Sequence, residues 1–291
     1  GYGRGRGGAN MTTFAASLFK EVDPNPKLGF EDPRYWVARY QADREPFDWY
    51  VRWEQLRETL LPSFSADAEI LMLGCGTSLL SEQLYSEGFM NITNVDRCEP
   101  AVSAMLARHQ AQREAAAAPP TGKAAKAAKP AKGGSPEPPA DPLEGKPPMQ
   151  FETLEAQDLP QEWASRFDIV VDKALLDSTV CGQDKMGAAA AVLSSVSRVL
   201  KPNGVYVCVS WAPPDMRWAM LAASDYDDRG RTKERPKASV EYGWEITHNT
   251  VPRPLANPNA DPKAKDKIEL TPSPAFVASE NVYHIYTCTK L

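Results

Sequence analysis

The residues best suited to chemistry lie in the segment Gly74-Cys75-Gly76, directly after the short apolar run at residues 69–73. Such a run is typical of a buried strand, and the apolar residues at helical spacing in 79–87 predict a helix after it. Glycines here let the backbone approach a bound group without a Cβ clash, and the first turn of the helix exposes unpaired N–H donors. Because Gly-x-Gly turns also occur for purely structural reasons, this segment alone fits a ligand site and a plain tight turn equally well.

A carboxylate further along the chain separates these two interpretations. Asp96 ends a second strand-like run at residues 92–95, about 20 residues after the glycines, where such a side chain accepts hydrogen bonds from ribose hydroxyls. The alternative is a turn or capping carboxylate. A third glycine that would face a pyrophosphate is missing, because Thr77 and Ser78 follow Gly76. The pattern therefore favours an adenosine without phosphates over a dinucleotide.

Two more strand ends are predicted to reach the same place. Asp158 and Leu159 follow a third strand at residues 149–154, and Asp172 and Lys173 follow a fourth at 167–171. Charged residues directly after a buried strand are expected at the rim of a pocket, although an ordinary solvated loop is the alternative. Ligands of open parallel sheets bind outside the carboxyl ends of the strands, so we expect one crevice surrounded by these segments.

The elements that must position these residues alternate along the chain. Strand-like runs lie at 69–73, 92–95, 149–154, 167–171 and 205–209, with helical periods at 79–87, 100–110 and 188–200. This alternation implies right-handed crossovers and a doubly wound, mainly parallel α/β sheet. Residues 242–247 and 282–287 predict a closing C-terminal antiparallel hairpin, and the aromatic stretch 33–61 is predicted to be helical and to lie over the sheet edge.

Three stretches interrupt this pattern. Residues 112–148 are almost entirely Ala, Pro, Lys and Gly, cannot bury a core, and are expected to form a disordered insertion. Residues 224–238 are charged and predict a mobile loop, and residues 251–274 are again rich in Pro, Asn and Lys. We expect residues 1–32 to be an N-terminal tail and residues 33–291 to be a single domain.

Composition restricts the partners. The formal net charge of −5 over 291 residues makes a nucleic-acid partner unfavourable, because such surfaces are normally basic. No apolar run approaches the roughly 20 residues that span a bilayer, so no membrane partner is expected. The five cysteines are scattered without metal-ligand spacing and predict no metal site. They indicate a reducing compartment, and we take the cytoplasmic location as the expectation.

Longer motifs carry a resemblance to a known family. They are Tyr35-Trp36 with Arg39-Tyr40, PFDWY at residues 46–50, LGCGTSLLSEQLYSEGF at 73–89, FDIVVDKALLD at 167–177, VSRVLKP at 196–202 and YGW at 242–244. The chain resembles the class I S-adenosylmethionine-dependent methyltransferases, and within them the methyltransferase-like lysine methyltransferases of elongation factor 1-alpha. The resemblance covers nearly the whole chain apart from the insertions and the termini.

The resemblance implies a Rossmann-like fold with a seven-stranded sheet, S-adenosyl-L-methionine as cofactor, and a protein substrate, elongation factor 1-alpha or a similar protein, methylated on lysine. It also implies these cofactor-binding residues: Trp36, Tyr40 and Trp49 in an N-terminal lid, Gly74 at the methionine moiety, Asp96 and Arg97 around the ribose and adenine, Asp158 and Leu159 beside the adenine, and Lys173 near the methionine end. Thr77 stands where the family usually has Asn, and Asp172-Lys173-Ala174 where it has Glu-Lys-Gly.

Other functions remain open at this point. The fold could serve as a catalytically inactive scaffold or complex subunit, since folds change function freely. A small-molecule or RNA methyltransferase is the second alternative. Candidates for the rim of an acceptor channel are Asp177, Ser178, Trp211 and Asp215, and no catalytic base is assigned. No Asn-Pro-Pro-Tyr sequence follows the fourth strand, which disfavours the amide and adenine-amino methylation of families that carry it.

Overall fold

A computed structural model describes residues 28–117, 147–227, 231–253 and 282–291. Its helices are α1 (Pro33–Ala42), α2 (Trp53–Leu60), α3 (Leu80–Ser86), α4 (Glu99–Ala117), α5 (Leu175–Thr179), α6 (Lys185–Val199) and α7 (Pro214–Ala222). Its strands are β1 (Ile70–Leu73), β2 (Ile92–Asp96), β3 (Gln150–Thr153), β4 (Phe167–Lys173), β5 (Leu200–Ser210), β6 (Ala238–Ser239), β7 (Trp244–Pro252) and β8 (Val282–Lys290). In this part of the chain, no helix is both long and apolar enough to cross a membrane.

The strands form one sheet in the order β3-β2-β1-β4-β5-β8-β7-β6. Strands β1 to β5 pair in parallel, whereas β8 lies antiparallel between β5 and β7. The predicted doubly wound, mainly parallel sheet and its C-terminal antiparallel hairpin are therefore confirmed. Besides seven longer strands, the sheet carries the two-residue strand β6 at its edge. The carboxyl ends of β1, β2 and β4 lie at one edge because these strands are parallel, and the strand order reverses between β1 and β4, which is where such sheets form a crevice.

Apolar layers cover both faces of the sheet, as expected for parallel strands. Successive side chains of a strand point to opposite faces. In β4, Ile169 and Val171 face a layer shared with Trp36, Leu56 and other residues of the N-terminal half. Val170 faces a second layer that contains side chains of α6 and α7. The sheet is thus a rigid frame for whatever its carboxyl edge holds.

The aromatic stretch departs from a single helical segment. It forms α1 and α2, joined by an irregular connection at residues 43–52. Pro46 lacks an N–H donor, and Tyr50 has a φ of 65°, which no right-handed helix allows. The prediction of a helix throughout residues 33–61 is therefore wrong for this connection, which instead crosses the carboxyl edge of the sheet.

The boundaries of the predicted interruptions also shift. Helix α4 continues to Ala117, six residues into the expected insertion, and residues 118–146 lie outside the described residues. Of the expected tail, residues 1–27 are not described, but Phe30 is buried and Asp32 caps α1. The buried Phe30 ring and the Asp32 cap hold residues 28–32 against the domain in spite of the polar composition of this stretch.

Two later stretches are partly described. In the loop 224–238, the Thr232 N–H donates to the Asp215 carbonyl at 2.9 Å, and Trp218 Nε1 donates to the Pro236 carbonyl at 2.9 Å. Its end forms β6, and its mobility stays a prediction. The stretch 251–274 begins inside β7, and residues 254–274 lie outside the described residues.

Candidate functional site

A cavity of about 400 Å³ opens at the carboxyl edge of the parallel strands. Four strand ends contribute to its lining: Gly74, Cys75 and Gly76 after β1, Asp96 and Arg97 at the end of β2, residues 154–157 after β3, and Lys173 and Ala174 at the end of β4. A fifth part, here called the aromatic wall, is made of Phe30, Trp36, Tyr40, Phe47 and Trp49. Seven of the nine residues predicted for the cofactor therefore line one cavity.

The turn after β1 requires glycine at both Gly74 and Gly76. Gly74 and Gly76 have φ angles of 69° and 51°, in the left-handed region that L side chains rarely adopt. A Cβ added to Gly76 would lie 2.5 Å from Tyr40 Oη. The turn and the aromatic wall are therefore too close together for a side chain at Gly76. Because the glycines have no side chain, the backbone of the turn faces the cavity directly.

Asp96 fixes this turn from the neighbouring strand. Its Oδ2 accepts a hydrogen bond from the Gly76 N–H at 2.9 Å, and its Oδ1 accepts one from the Cys98 N–H at 2.9 Å. Burial raises the pKa of Asp96 in spite of these two bonds, which favour the charged form. The alternative, a turn carboxylate, is therefore confirmed. The same side chain lines the cavity, and its bond to ribose hydroxyls stays a prediction.

Lys173 is held in the cavity wall by the N-terminal half of the chain. Its Nζ donates to Asp48 Oδ1 and to the Trp49 carbonyl, each at 3.0 Å. Ser78 Oγ donates to the same Asp48 oxygen. Burial alone would raise the pKa of Asp48, but the Lys173 ammonium and the two hydrogen bonds outweigh it, so that this pKa lies below its usual value. Lys173 therefore joins β4 to the connection that carries Trp49.

Asp48 was missed by the sequence reasoning. The signal for it was present, because a lone acidic residue inside the aromatic segment PFDWY is expected to have a partner if that segment is buried. Its side chain is 1% exposed. Only the fold shows that the partner is Lys173, 125 residues away.

The aromatic wall is a connected cluster. The Trp36 ring lies 5.9 Å from that of Tyr40, stacked, and 6.0 Å from that of Trp49, edge to face. Trp36 Nε1 donates to the Phe30 carbonyl at 2.6 Å, so the indole N–H is satisfied inside the protein. These rings pack in the core and also line the cavity.

The structure does not bring Asp158 and Leu159 to this cavity. A 3-10 helix at Ala156–Asp158 turns the chain after β3, so that Asp158 is exposed and Leu159 packs in the second apolar layer. Residues 154–157 occupy the cavity wall instead. Within it, Glu155 pairs with Arg97 at 3.0 Å. Asp158 and Leu159 therefore do not line this cavity, and their place beside the adenine stays a prediction.

Asp172 lies on the other face of β4 from Lys173. It is fully buried, caps α5 by accepting from the Leu175 N–H at 2.7 Å, and accepts from Tyr206 Oη at 2.8 Å. Burial raises its pKa to about 7. The expectation of two charged residues at the pocket rim is therefore right for Lys173 and wrong for Asp172, because neighbouring strand residues point to opposite faces.

Of the four residues predicted for the rim of an acceptor channel, the structure brings only one to the cavity. Ser178 lines the cavity, whereas Trp211 and Asp215 do not. Asp177 is fully buried and accepts from Tyr50 Oη at 2.8 Å and from Ser210 Oγ at 2.6 Å. Within residues 28–117, 147–227, 231–253 and 282–291, no three His, Cys, Asp or Glu side chains group to hold a metal ion.

Comparisons with known proteins agree with this geometry. The family described as "Methyltransferase domain" matches residues 71–208. EEF1A lysine methyltransferase 4 of Bos taurus is 28% identical over 237 residues, 78% of this chain and 73% of that protein. The Mus musculus protein of the same name is 28% identical over 216 residues, 70% of each chain. The eEF1A lysine and N-terminal methyltransferase of Danio rerio is 31% identical over 191 residues, 65% of this chain and 22% of that protein.

The residues present fit S-adenosylmethionine. Bare backbone at the glycine turn leaves room for a group that a Cβ would exclude, and the buried Asp96 carboxylate suits hydroxyl donors. The aromatic wall suits a sulfonium cation, since aromatic faces attract cations. When bound, this cofactor supplies an electrophilic methyl group. With residues 71–208 matching the methyltransferase domain and the sheet in a Rossmann-like order, the chain is an S-adenosylmethionine-dependent methyltransferase.

Proposed function

We propose that this enzyme is a protein-lysine N-methyltransferase whose substrate is elongation factor 1-alpha or a similar protein. One observation carries the proposal: the relatives named as EEF1A lysine methyltransferases match over as many as 237 residues. This length exceeds the family match at residues 71–208, so the similarity extends beyond the core methyltransferase domain. Because proteins of one fold differ in the sites added to it, similarity outside the core bears on the acceptor.

We also propose which residues bind the cofactor. They are the cavity-lining residues Trp36, Tyr40, Trp49, Gly74, Asp96, Arg97 and Lys173, together with residues 154–157. Asp96 orders the glycine turn before any ligand arrives, and Lys173 holds the connection that carries Trp49. Preordered groups of this kind reduce the entropy lost on binding.

The aromatic wall suits a lysine acceptor. A lysine ammonium has an ordinary pKa of about 10.4, and only the neutral amine has a lone pair for attack. A second positive charge nearby, here the sulfonium of the bound cofactor, disfavours the ammonium and lowers that pKa. Phe30, Phe47 and Trp49 exclude water from the cavity, so this repulsion is weakly screened. In this proposal the chain orients the amine, excludes water and favours its neutral form.

The test supplies methyl-labelled S-adenosylmethionine to the purified chain with three separate acceptors: purified elongation factor 1-alpha, cellular RNA, and a protein-free metabolite extract. We expect label on the protein, located by mass spectrometry on lysine Nε. Gly76→Ala is the cofactor-site variant, since its Cβ would meet Tyr40 Oη at 2.5 Å. Gly88→Ala is the matched control, because Gly88 also has a positive φ but has no atom within 4 Å of the added Cβ.

Each other outcome has a meaning. Label confined to RNA or to a metabolite would contradict the lysine acceptor and leave the methyltransferase in place. Cofactor binding with no label in any acceptor would favour an inactive scaffold.

We further propose a cytoplasmic location, because all five cysteines are free thiols. Cell fractionation that finds the protein in an oxidising compartment would contradict this.

A further inference from the structure

A second buried network lies beside the cofactor cavity and is centred on Asp177, in α5. Its carboxylate accepts from Tyr50 Oη at 2.8 Å and from the Trp211 N–H at 3.1 Å through Oδ2. Through Oδ1 it accepts from Ser210 Oγ at 2.6 Å and from the Arg217 guanidinium. The donors come from the α1–α2 connection, from the end of β5 and from α7. One carboxylate thus joins three segments that are distant in sequence.

This network is more than a solvated ion pair. The side chains of Asp177 and Arg217 are 0% and 2% exposed, so their charges depend on each other and on the hydroxyl donors. The next residue after Asp177 is Ser178, which lines the cavity. Asp177 therefore lies one residue behind the cavity wall on the α5 side.

The connection to the other side of the cavity runs through Tyr50. Its φ of 65° is in the left-handed region, which is a rare conformation for an aromatic residue and persists only where the surroundings enforce it. The preceding residue, Trp49, lines the cavity with its ring and receives Lys173 Nζ on its carbonyl. The conformation of Tyr50 consequently decides where Trp49 lies.

We propose that Asp177 is a positioning residue for cofactor binding: by its hydrogen bond to Tyr50, it holds the backbone that places Trp49 against the cavity. Lys173 secures the same backbone at the Trp49 carbonyl, so the connection is held from β4 and from α5 at adjacent residues. The inference rests on the proposed cofactor-binding residues, Trp49 among them, and not on the proposed lysine acceptor.

The test is Tyr50→Phe, which removes the hydroxyl and keeps the ring that packs 4.7 Å from that of Tyr283. The matched control is Tyr85→Phe. Tyr85 is buried in the same apolar layer, and its hydroxyl donates to the Pro147 carbonyl at 2.8 Å, but it does not line the cavity. Tyr50→Phe loses the bond to Asp177, whereas Tyr85→Phe loses the bond to the Pro147 carbonyl and also the one that Arg113 Nη1 donates to the Tyr85 hydroxyl at 2.8 Å. A merely structural role would therefore make the effect of Tyr85→Phe on the cofactor at least as large.

Calorimetric titration with S-adenosylmethionine gives the result. We expect Tyr50→Phe to raise the Kd about tenfold, the effect of one hydrogen bond to a charged group, and Tyr85→Phe to change it less than about twofold. Equal Kd values for the two folded variants would overturn the proposal. Hydrogen exchange gives an independent readout: residues 47–52 should exchange faster in Tyr50→Phe than in Tyr85→Phe, and equal rates there also overturn it.

The proposal stays testable if Tyr50→Phe does not fold. In the unsubstituted chain, S-adenosylmethionine should slow hydrogen exchange in residues 47–52, because cofactor contact with Trp49 and the ordering of this connection are coupled in the proposal. Slower exchange there supports it. Unchanged exchange in residues 47–52 at saturating cofactor would overturn it, whatever acceptor the enzyme methylates.

Discussion

Replacing Lys173 by methionine should remove the bonds that join β4 to the α1–α2 connection across the cavity. The substitution keeps an unbranched side chain but removes the ammonium that bonds Asp48 Oδ1 and the Trp49 carbonyl, each at 3.0 Å. The two charged side chains are 6% and 1% exposed, so the change leaves a buried carboxylate without its main partner. Removing one partner of a buried pair costs about 3–5 kcal/mol.

The lower end of that range is expected here. Ser78 Oγ still donates to Asp48, and Arg52 Nε lies 3.8 Å from Asp48 Oδ2. A loss of about 3 kcal/mol lowers the Tm of a domain of this size by about 6–12 °C. The cofactor Kd should rise too, because Trp49 loses its bond to β4. Urea unfolding, with the midpoint and slope fitted together, measures the stability, and calorimetry measures the Kd.

The matched control is the double variant Lys173→Met with Asp48→Asn. Neutralising the carboxylate removes the uncompensated charge, so the double variant should be more stable than Lys173→Met alone. Acid titration gives a further check. Because the folded pKa of Asp48 is lowered, its contribution to stability is present above its unfolded pKa of about 3.9 and is lost as pH falls through the folded value. An unfolding free energy unchanged by Lys173→Met would refute the reasoning.

Two further predictions follow from other buried groups. Asp172 has its pKa raised to about 7, so the folded state holds a proton that the unfolded state releases near pH 4, and stability should fall as pH rises from about 4 to 7. Asp172→Asn keeps an acceptor for Tyr206 and should therefore raise the unfolding free energy at pH 8 by at most about 4 kcal/mol, but change it little at pH 4. Urea unfolding at the two pH values measures both effects. Equal effects at pH 8 and pH 4 would contradict this prediction. Gly76→Ala should raise the Kd for S-adenosylmethionine at least about tenfold in calorimetry, whereas Gly88→Ala should lower the stability only. Equal Kd values for the two variants would contradict the close approach of Gly76 to Tyr40.

The core of the fold follows from local patterns. The runs that predict β1, β2 and β4 are rich in apolar residues and almost wholly buried, because both faces of a parallel sheet are covered, and helices alternate with them. The glycine turn and Asp96 were found for the same reason: a tight turn after one strand and a carboxylate after the next must meet at one edge of such a sheet. The aromatic segments predicted an apolar cover, and they form the aromatic wall.

Other features of the site depend on which way a side chain points. Residues 154–157 and not Asp158 or Leu159 reach the cavity, because a single turn of 3-10 helix rotates the chain after β3. Likewise, Asp172 and Lys173 are adjacent in sequence, but one caps α5 in the second apolar layer and the other faces Asp48. A shift of one residue along a strand reverses the face, and periodicity at the end of a strand is too short to fix it.

The sequence by itself determined the sheet, the turn that faces the cavity and the carboxylate beside it, because each depends on residues close together in the chain and on the general geometry of parallel sheets. Tertiary structure alone decided the partners of the buried charges. Asp48 meets Lys173 and Tyr50 meets Asp177 across 125 and 127 residues, respectively. Such pairs are fixed by the three-dimensional path of the α1–α2 connection over the sheet edge, which leaves no periodic trace in the sequence.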